Sequence, residues 1–169
     1  MKLKPGDILL FKGEKGMSKL VAWGTNSKYS HVAVCVSAEM NLAIEAMAGG
    51  GVRARDIRKI KQKYDVYRIK ENYTYNLFET ISYLVNKLNL KYDYKGVIFL
   101  GLLKLLAKIG KPLKRKANKW QIDRDYFCSE LCYEAFYHGG GLTIIPDEDK
   151  AGIISPGDIS KSFIVEQIQ

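Results

Sequence analysis

The stretch His31-Val-Ala-Val-Cys-Val-Ser37 narrows the fold more than any other part of the chain. Its β-branched residues lose rotamer freedom in a helix and pack well on a pleated surface, so 31–37 reads as a strand. A second apolar run over 42–47 follows a short polar turn and is expected to be its antiparallel partner. Further strands are expected over 7–11, behind the Pro5-Gly6 turn, and over 52–57 and 65–69. The one helix predicted in this half is 17–23, where Met17, Leu20 and Val21 recur at helical spacing.

The second half changes period. Leu77, Phe78, Ile81, Leu84, Val85 and Leu88 place an amphipathic helix over 76–88. A second helical stretch is expected over 94–109, then a basic loop over 112–118. A third helix is expected over 125–138, with Asp125 capping its first amides and Gly139-Gly140-Gly141 ending it. A last strand is read over 163–168. The fold class is therefore α+β: a small antiparallel sheet or open barrel with helices packed against it. At 169 residues, 47% of them hydrophobic, the chain suffices for one domain over 1–169, with 76–119 as a helical, cap-like segment.

The longest apolar run, 97–103 and its broken extension to 109, falls short of the roughly 20 apolar residues of a membrane-spanning helix. Residues 1–7 lack a signal-peptide apolar core, and three cysteines (Cys35, Cys128, Cys132) suit a reducing compartment better than a disulfide framework. A cytoplasmic location is expected. The net charge of +9 is concentrated in two clusters. One is Lys104, Lys108, Lys111, Lys114, Arg115, Lys116 and Lys119; the other is Arg53, Arg55, Arg58, Lys59, Lys61 and Lys63. Both read as solvated basic faces, and 104–119 could meet an anionic polymer or a membrane surface. Specific nucleic-acid binding is not expected, because no recognition motif is present and the basic run lacks interleaved aromatics.

Cys128 and Cys132 share a helix face, but only Cys128 falls in the first turn, where unpaired amides and the helix dipole stabilise a thiolate. Cys132 and Cys35 read as core. Of the two histidines, His138 ends its helix, whereas His31 lies where a polar loop enters an apolar strand, the half-exposed place a base needs. Glu45 is the lone acid in 42–47 and requires a partner if buried. A turn centred near Ala38 would set it opposite His31, close enough to fix the imidazole tautomer. Cys128, His31 and Glu45 are thus the candidate nucleophile, base and orienting residue. The Cys128 N–H and the Tyr126 phenol are candidate oxyanion donors. Trp23, Thr25, Tyr29, Gly49 and Gly50 flank the site in sequence and are candidate substrate contacts. A metal site built from Cys128, Cys132, His31 and His138 matches no standard zinc spacing, so neither metal nor other cofactor is expected.

The segments Gly6-Asp7-Ile8-Leu9-Leu10-Phe11, Tyr29-Ser30-His31-Val32, Ile44-Glu45-Ala46 and Phe127-Cys128-Ser129-Glu130-Leu131 resemble the permuted papain-like amidases, the YiiX-type branch of the NlpC-like superfamily. Ser155-Pro156-Gly157-Asp158 adds to the likeness. The resemblance implies a circularly permuted papain-like fold in which the histidine strand precedes the cysteine helix. It places the family's nucleophile, base and third polar residue on Cys128, His31 and Glu45. It also implies hydrolysis of an amide bond, of a cell-wall-type peptide or a related small amide, through a thioester. The alternative in the wider superfamily is a lipid acyl hydrolase or acyltransferase at a membrane surface, although that branch carries a histidine as third residue.

Overall fold

The computed structural model describes residues 2–47, 50–91, 128–146 and 154–169, with Met17 and Gly24 described by backbone only. Six strands form one antiparallel sheet in the order β4-β3-β2-β1-β5-β6. They are β1 (Ile8–Lys12), β2 (Tyr29–Ser37), β3 (Leu42–Met47), β4 (Gly51–Asp56), β5 (Tyr64–Ile69) and β6 (Val165–Gln167). The two central strands carry the near-continuous apolar runs, because they are covered on both faces. Ile8, Leu9, Leu10 and Phe11 are all fully buried, yet they divide between two clusters. Ile8 and Leu10 join Val32, Val34 and Ile44 on the helix-covered face. Leu9 and Phe11 join Ala33, Cys35, Ala43, Ile57 and Val66 on the other.

The helices are α1 (Gly16–Gly24), α2 (Leu77–Asn86), α3 (Cys128–Glu134) and α4 (Pro156–Lys161). Asn76 begins α2 by accepting the Glu79 N–H at 3.1 Å. Leu84 then sinks fully into the core under the sheet. Leu84, Leu88 and Leu90 of this segment pack with the core cluster; the remainder of the cap-like segment expected over 76–119, with the helix expected over 94–109, lies outside the described residues. The third helix is seen from Cys128 onward, and Asp125 also lies outside them. Its last turn, Ala135–Gly139, widens to π-helical spacing. The glycines here do more than stop a helix. A Cβ on Gly139 would stand 2.6 Å from the Glu79 carbonyl oxygen, and one on Gly140 2.5 Å from Thr80 Oγ1. Their bareness lets α2 and α3 approach.

Two local expectations change. The strand expected over 52–57 ends at Asp56, whose side chain accepts the Arg58 N–H at 3.0 Å and starts a single 3₁₀ turn, Ile57–Lys59. Residues 156–161, assigned to no element from the sequence, form α4. Ser155 and Asp158 exchange side-chain and backbone hydrogen bonds as a capping box, and Pro156 sits in the first turn. Among the described residues no helix is long and apolar enough to cross a membrane.

Candidate active site

His31 owes its place to a bulge. The β1–β2 ladder pairs Phe11 with His31 but Lys12 with Tyr29, so Ser30 is the extra residue. Tyr29 turns into the helix-covered cluster. His31 keeps the alternation of Ala33 and Cys35, with its ring 5.2 Å from that of Phe11.

Glu45 reaches His31 by a different register from the one expected. The β2–β3 connection is not centred on Ala38. It spans 38–41, with Asn41 in the left-handed region at φ 53°, and the ladder pairs Val34 with Ile44 and Cys35 with Ala43. Continued, this register puts Glu45 across from Ala33 and one diagonal step from His31. The slip is of two residues, so the face is preserved. Glu45 Oε2 lies 2.8 Å from His31 Nε2.

The Glu45 side chain has no solvent exposure, and β4 supplies what a buried carboxylate needs. Arg53 stands directly opposite it. Arg53 Nε and Nη2 donate to Oε1 at 3.0 and 2.9 Å, and Arg55 Nη1 donates to both oxygens at 3.2 and 3.1 Å. Burial alone would raise the Glu45 pKa. Its hydrogen bond to and attraction by His31, with the two arginines, instead hold it at about 2.

Cys128 starts α3 and belongs to the helix-side cluster, whereas His31 follows the opposite face. They meet where the sheet opens. The β2–β3 ladder ends at the Val34–Ile44 pair although both strands run on. The Val32 N–H, released from that ladder, hydrogen-bonds the Cys128 sulfur, as does the Ser129 N–H. The thiol also hydrogen-bonds His31, whose Nε2 is taken by Glu45, leaving Nδ1 for the sulfur. Burial pushes the Cys128 thiol up, but the charge and hydrogen bond of His31 and the two amides outweigh it and draw the pKa below the ordinary value. For His31, burial lowers the pKa, and the Cys128 charge and hydrogen bond, then Glu45, raise it to about 9. Both shifts run in the direction of a thiolate beside an imidazolium. Cys128 is 8% exposed and the His31 side chain 13%.

The remaining sequence candidates fall elsewhere. Cys132 and Cys35 are buried, and burial pushes both thiols up, Cys35 to about 11. His138 stacks on Tyr83 in the last turn of its helix. Thr25 donates its hydroxyl to the Val21 and Ala22 carbonyls, closing α1, and Trp23 is 56% exposed on that helix. Tyr29 is 1% exposed and does not line a cleft: its hydroxyl donates to Asp65 Oδ2 at 2.6 Å and meets the Tyr67 hydroxyl at 2.9 Å. Gly50 lies in the β3–β4 turn beside Arg53. Tyr126 and Gly49 lie outside the described residues. Sequence reasoning missed Arg53 and Arg55 as site residues, counting them in a solvated basic face. The signal was present: their i, i+2 spacing puts both on one strand face, opposite the lone acid of the neighbouring strand.

No protein-family model and no curated protein sequence matches the chain. The structure does have a solved counterpart, described as the metalloprotein YiiX from Escherichia coli O157:H7, DUF1105. The two superpose with a TM-score of 0.63 over 100% of this chain and 98% of that one, at 16% sequence identity. The chain has the YiiX fold. At that identity the likeness speaks for the fold alone.

Proposed function

We propose that the protein is a thiol hydrolase that cleaves an amide bond through Cys128, His31 and Glu45. The observation that supports it most is the buried relay in which one imidazole bridges a helix-start sulfur and a carboxylate. The Cys128 thiolate attacks the carbonyl carbon, and its electron pair forms the C–S bond as the C=O π pair moves to oxygen. The Cys128 N–H is proposed to donate to that oxyanion, with Tyr126 a second candidate. His31 gives its proton to the leaving amine as the C–N bond breaks, leaving a thioester and a neutral imidazole. Neutral His31 then takes a proton from water, whose oxygen attacks the thioester, and the thiolate departs. Glu45, held ionised by its arginines, fixes the ring and stabilises the imidazolium.

YiiX is described as a metalloprotein, which raises Cys128, His31 and Glu45 as metal ligands as a second reading. They do not fit. Among the described residues no group of three or more His, Cys, Asp or Glu side chains could hold a metal, and Glu45 already accepts from two guanidinium groups.

The test is brief incubation with labelled peptide amides and, separately, labelled phospholipids, followed by acid quench and mass mapping. Acyl adducts on Cys128 from the amides are expected. Adducts from lipid alone would replace amide with lipid acyl chemistry, and turnover without any Cys128 adduct would end the proposal.

A further inference from the structure

The charges around Glu45 do not balance. Among the described residues and their ion pairs, the His31 imidazolium is matched by the Cys128 thiolate, and the Glu45 carboxylate faces two guanidiniums, Arg53 and Arg55, one positive charge more than it carries. The excess persists through the proposed cycle, because acylation removes the thiolate charge as His31 gives up its proton. The other acids near β4 and β1 are engaged: Asp56 with Arg58 at 2.9 Å and Glu14 with Lys63 at 3.6 Å. At the same end of the sheet a second buried carboxylate, Asp65, is likewise matched by two cations, Lys12 at 2.7 Å and Lys28 at 2.9 Å.

The two arginines differ in what they leave over. Arg55 spans both carboxylate oxygens, lies above the Phe11 ring and is 23% exposed. Arg53 turns Nε and Nη2 inward and is 42% exposed. Its Nη1 makes no hydrogen bond to a described residue and faces the Gly50 turn, where a Cβ would already stand 3.2 Å away. Arg53 Nη2 also donates to Met47 Sδ at 2.7 Å, so the guanidinium is locked by Glu45 and Met47 and keeps Nη1 open, separated from His31 by the width of one carboxylate. A guanidinium fixed in this way offers an anion a preorganised N–H donor and a positive charge.

We propose that Arg53 is a specificity residue that receives an anionic group, a carboxylate in the simplest case, carried by the substrate near the bond that Cys128 attacks. This rests on the thiol-hydrolase reading and narrows its substrate class to acidic amides. The test compares alkylation of Cys128 by iodoacetate and by iodoacetamide at low salt, read by mass spectrometry, with a neutral one-cysteine peptide as reference. The ratio of iodoacetate to iodoacetamide rate constants is expected to exceed the peptide's by about five-fold, and to shrink with added salt. Arg53→Gln and, separately, Gly50→Asp, which sets a carboxylate against Nη1 without touching Glu45, should remove most of that excess; Arg53→Lys should restore part of it. A wild-type ratio equal to the peptide's, or one unmoved by both Arg53→Gln and Gly50→Asp, overturns the assignment to Arg53. If neither reagent labels Cys128, the thiolate itself is refuted and this role falls with it.

Discussion

Glu45→Gln separates the charge of the buried carboxylate from its shape. In the folded chain the Glu45 pKa is about 2, against an ordinary 4.5. The difference, at 1.36 kcal/mol for each pH unit, corresponds to about 3 kcal/mol of stability. The sign follows from a depressed folded pKa: this stabilisation is fully present above pH 4.5 and is lost as the pH falls through 2. Glutamine has no charge to lose. The variant should therefore be less stable at neutral pH by about 3 kcal/mol, within the range for breaking a buried pair. Arg53 and Arg55 are partly exposed and can recover water, which keeps the cost from growing further. Urea unfolding of both proteins between pH 2 and 7 measures the difference, with equal slopes required of the two curves. The gap should close as the pH approaches 2. A gap that is absent, or that stays constant across this range, refutes the claim that an ionised Glu45 organises the site.

Other outcomes follow from the same geometry. The pH profile of turnover should rise on the acid side as Cys128 ionises, below the ordinary thiol value, and fall near pH 9 as His31 loses its proton; a profile that rises steadily through pH 9 contradicts the ion pair. With only two histidines in the chain, the His31 titration can be assigned by NMR, and in Glu45→Gln it should move down from about 9. Cys128→Ala should abolish turnover while leaving the stability within about 1 kcal/mol of wild type, since it removes a single sulfur atom; residual wild-type rates would exclude Cys128 as nucleophile. Gly51 has a φ of 63° and a Cβ there would collide with the Leu90 carbonyl, so Gly51→Ala should cost more than 1 kcal/mol, read by thermal unfolding.

The legible parts of this chain were those set by local pattern. The apolar runs at 31–37 and 42–47 needed only their β-branched and alternating residues to be placed, and 42–47 falls on β3 without an end shifted. Helix α2 was readable from the period of its apolar residues. Helix α4 was missed although the Ser155-to-Asp158 capping box that starts it is a short-range signal present in the sequence. The site was legible as residue types but not as a register. Period two fixes that His31 and Glu45 share a face, and it is indifferent to a slip of two, so the turn at 38–41 could not be told from one centred on Ala38. The Ser30 bulge, which turns Tyr29 into the helix-covered cluster and onto Asp65, leaves no mark in composition. Nor does the opening of the β2–β3 ladder, which is a tertiary consequence of α3 seating its first turn there.

The central claim is a Cys128 thiolate paired with the His31 imidazolium, and the ultraviolet absorbance of thiolate measures it directly. A pH titration of wild type minus Cys128→Ser should show one thiolate forming with its midpoint below the ordinary thiol value, and that step should move up when His31 is replaced by alanine. A difference spectrum in which no thiolate forms below pH 9, or one that His31→Ala leaves unmoved, would contradict the account.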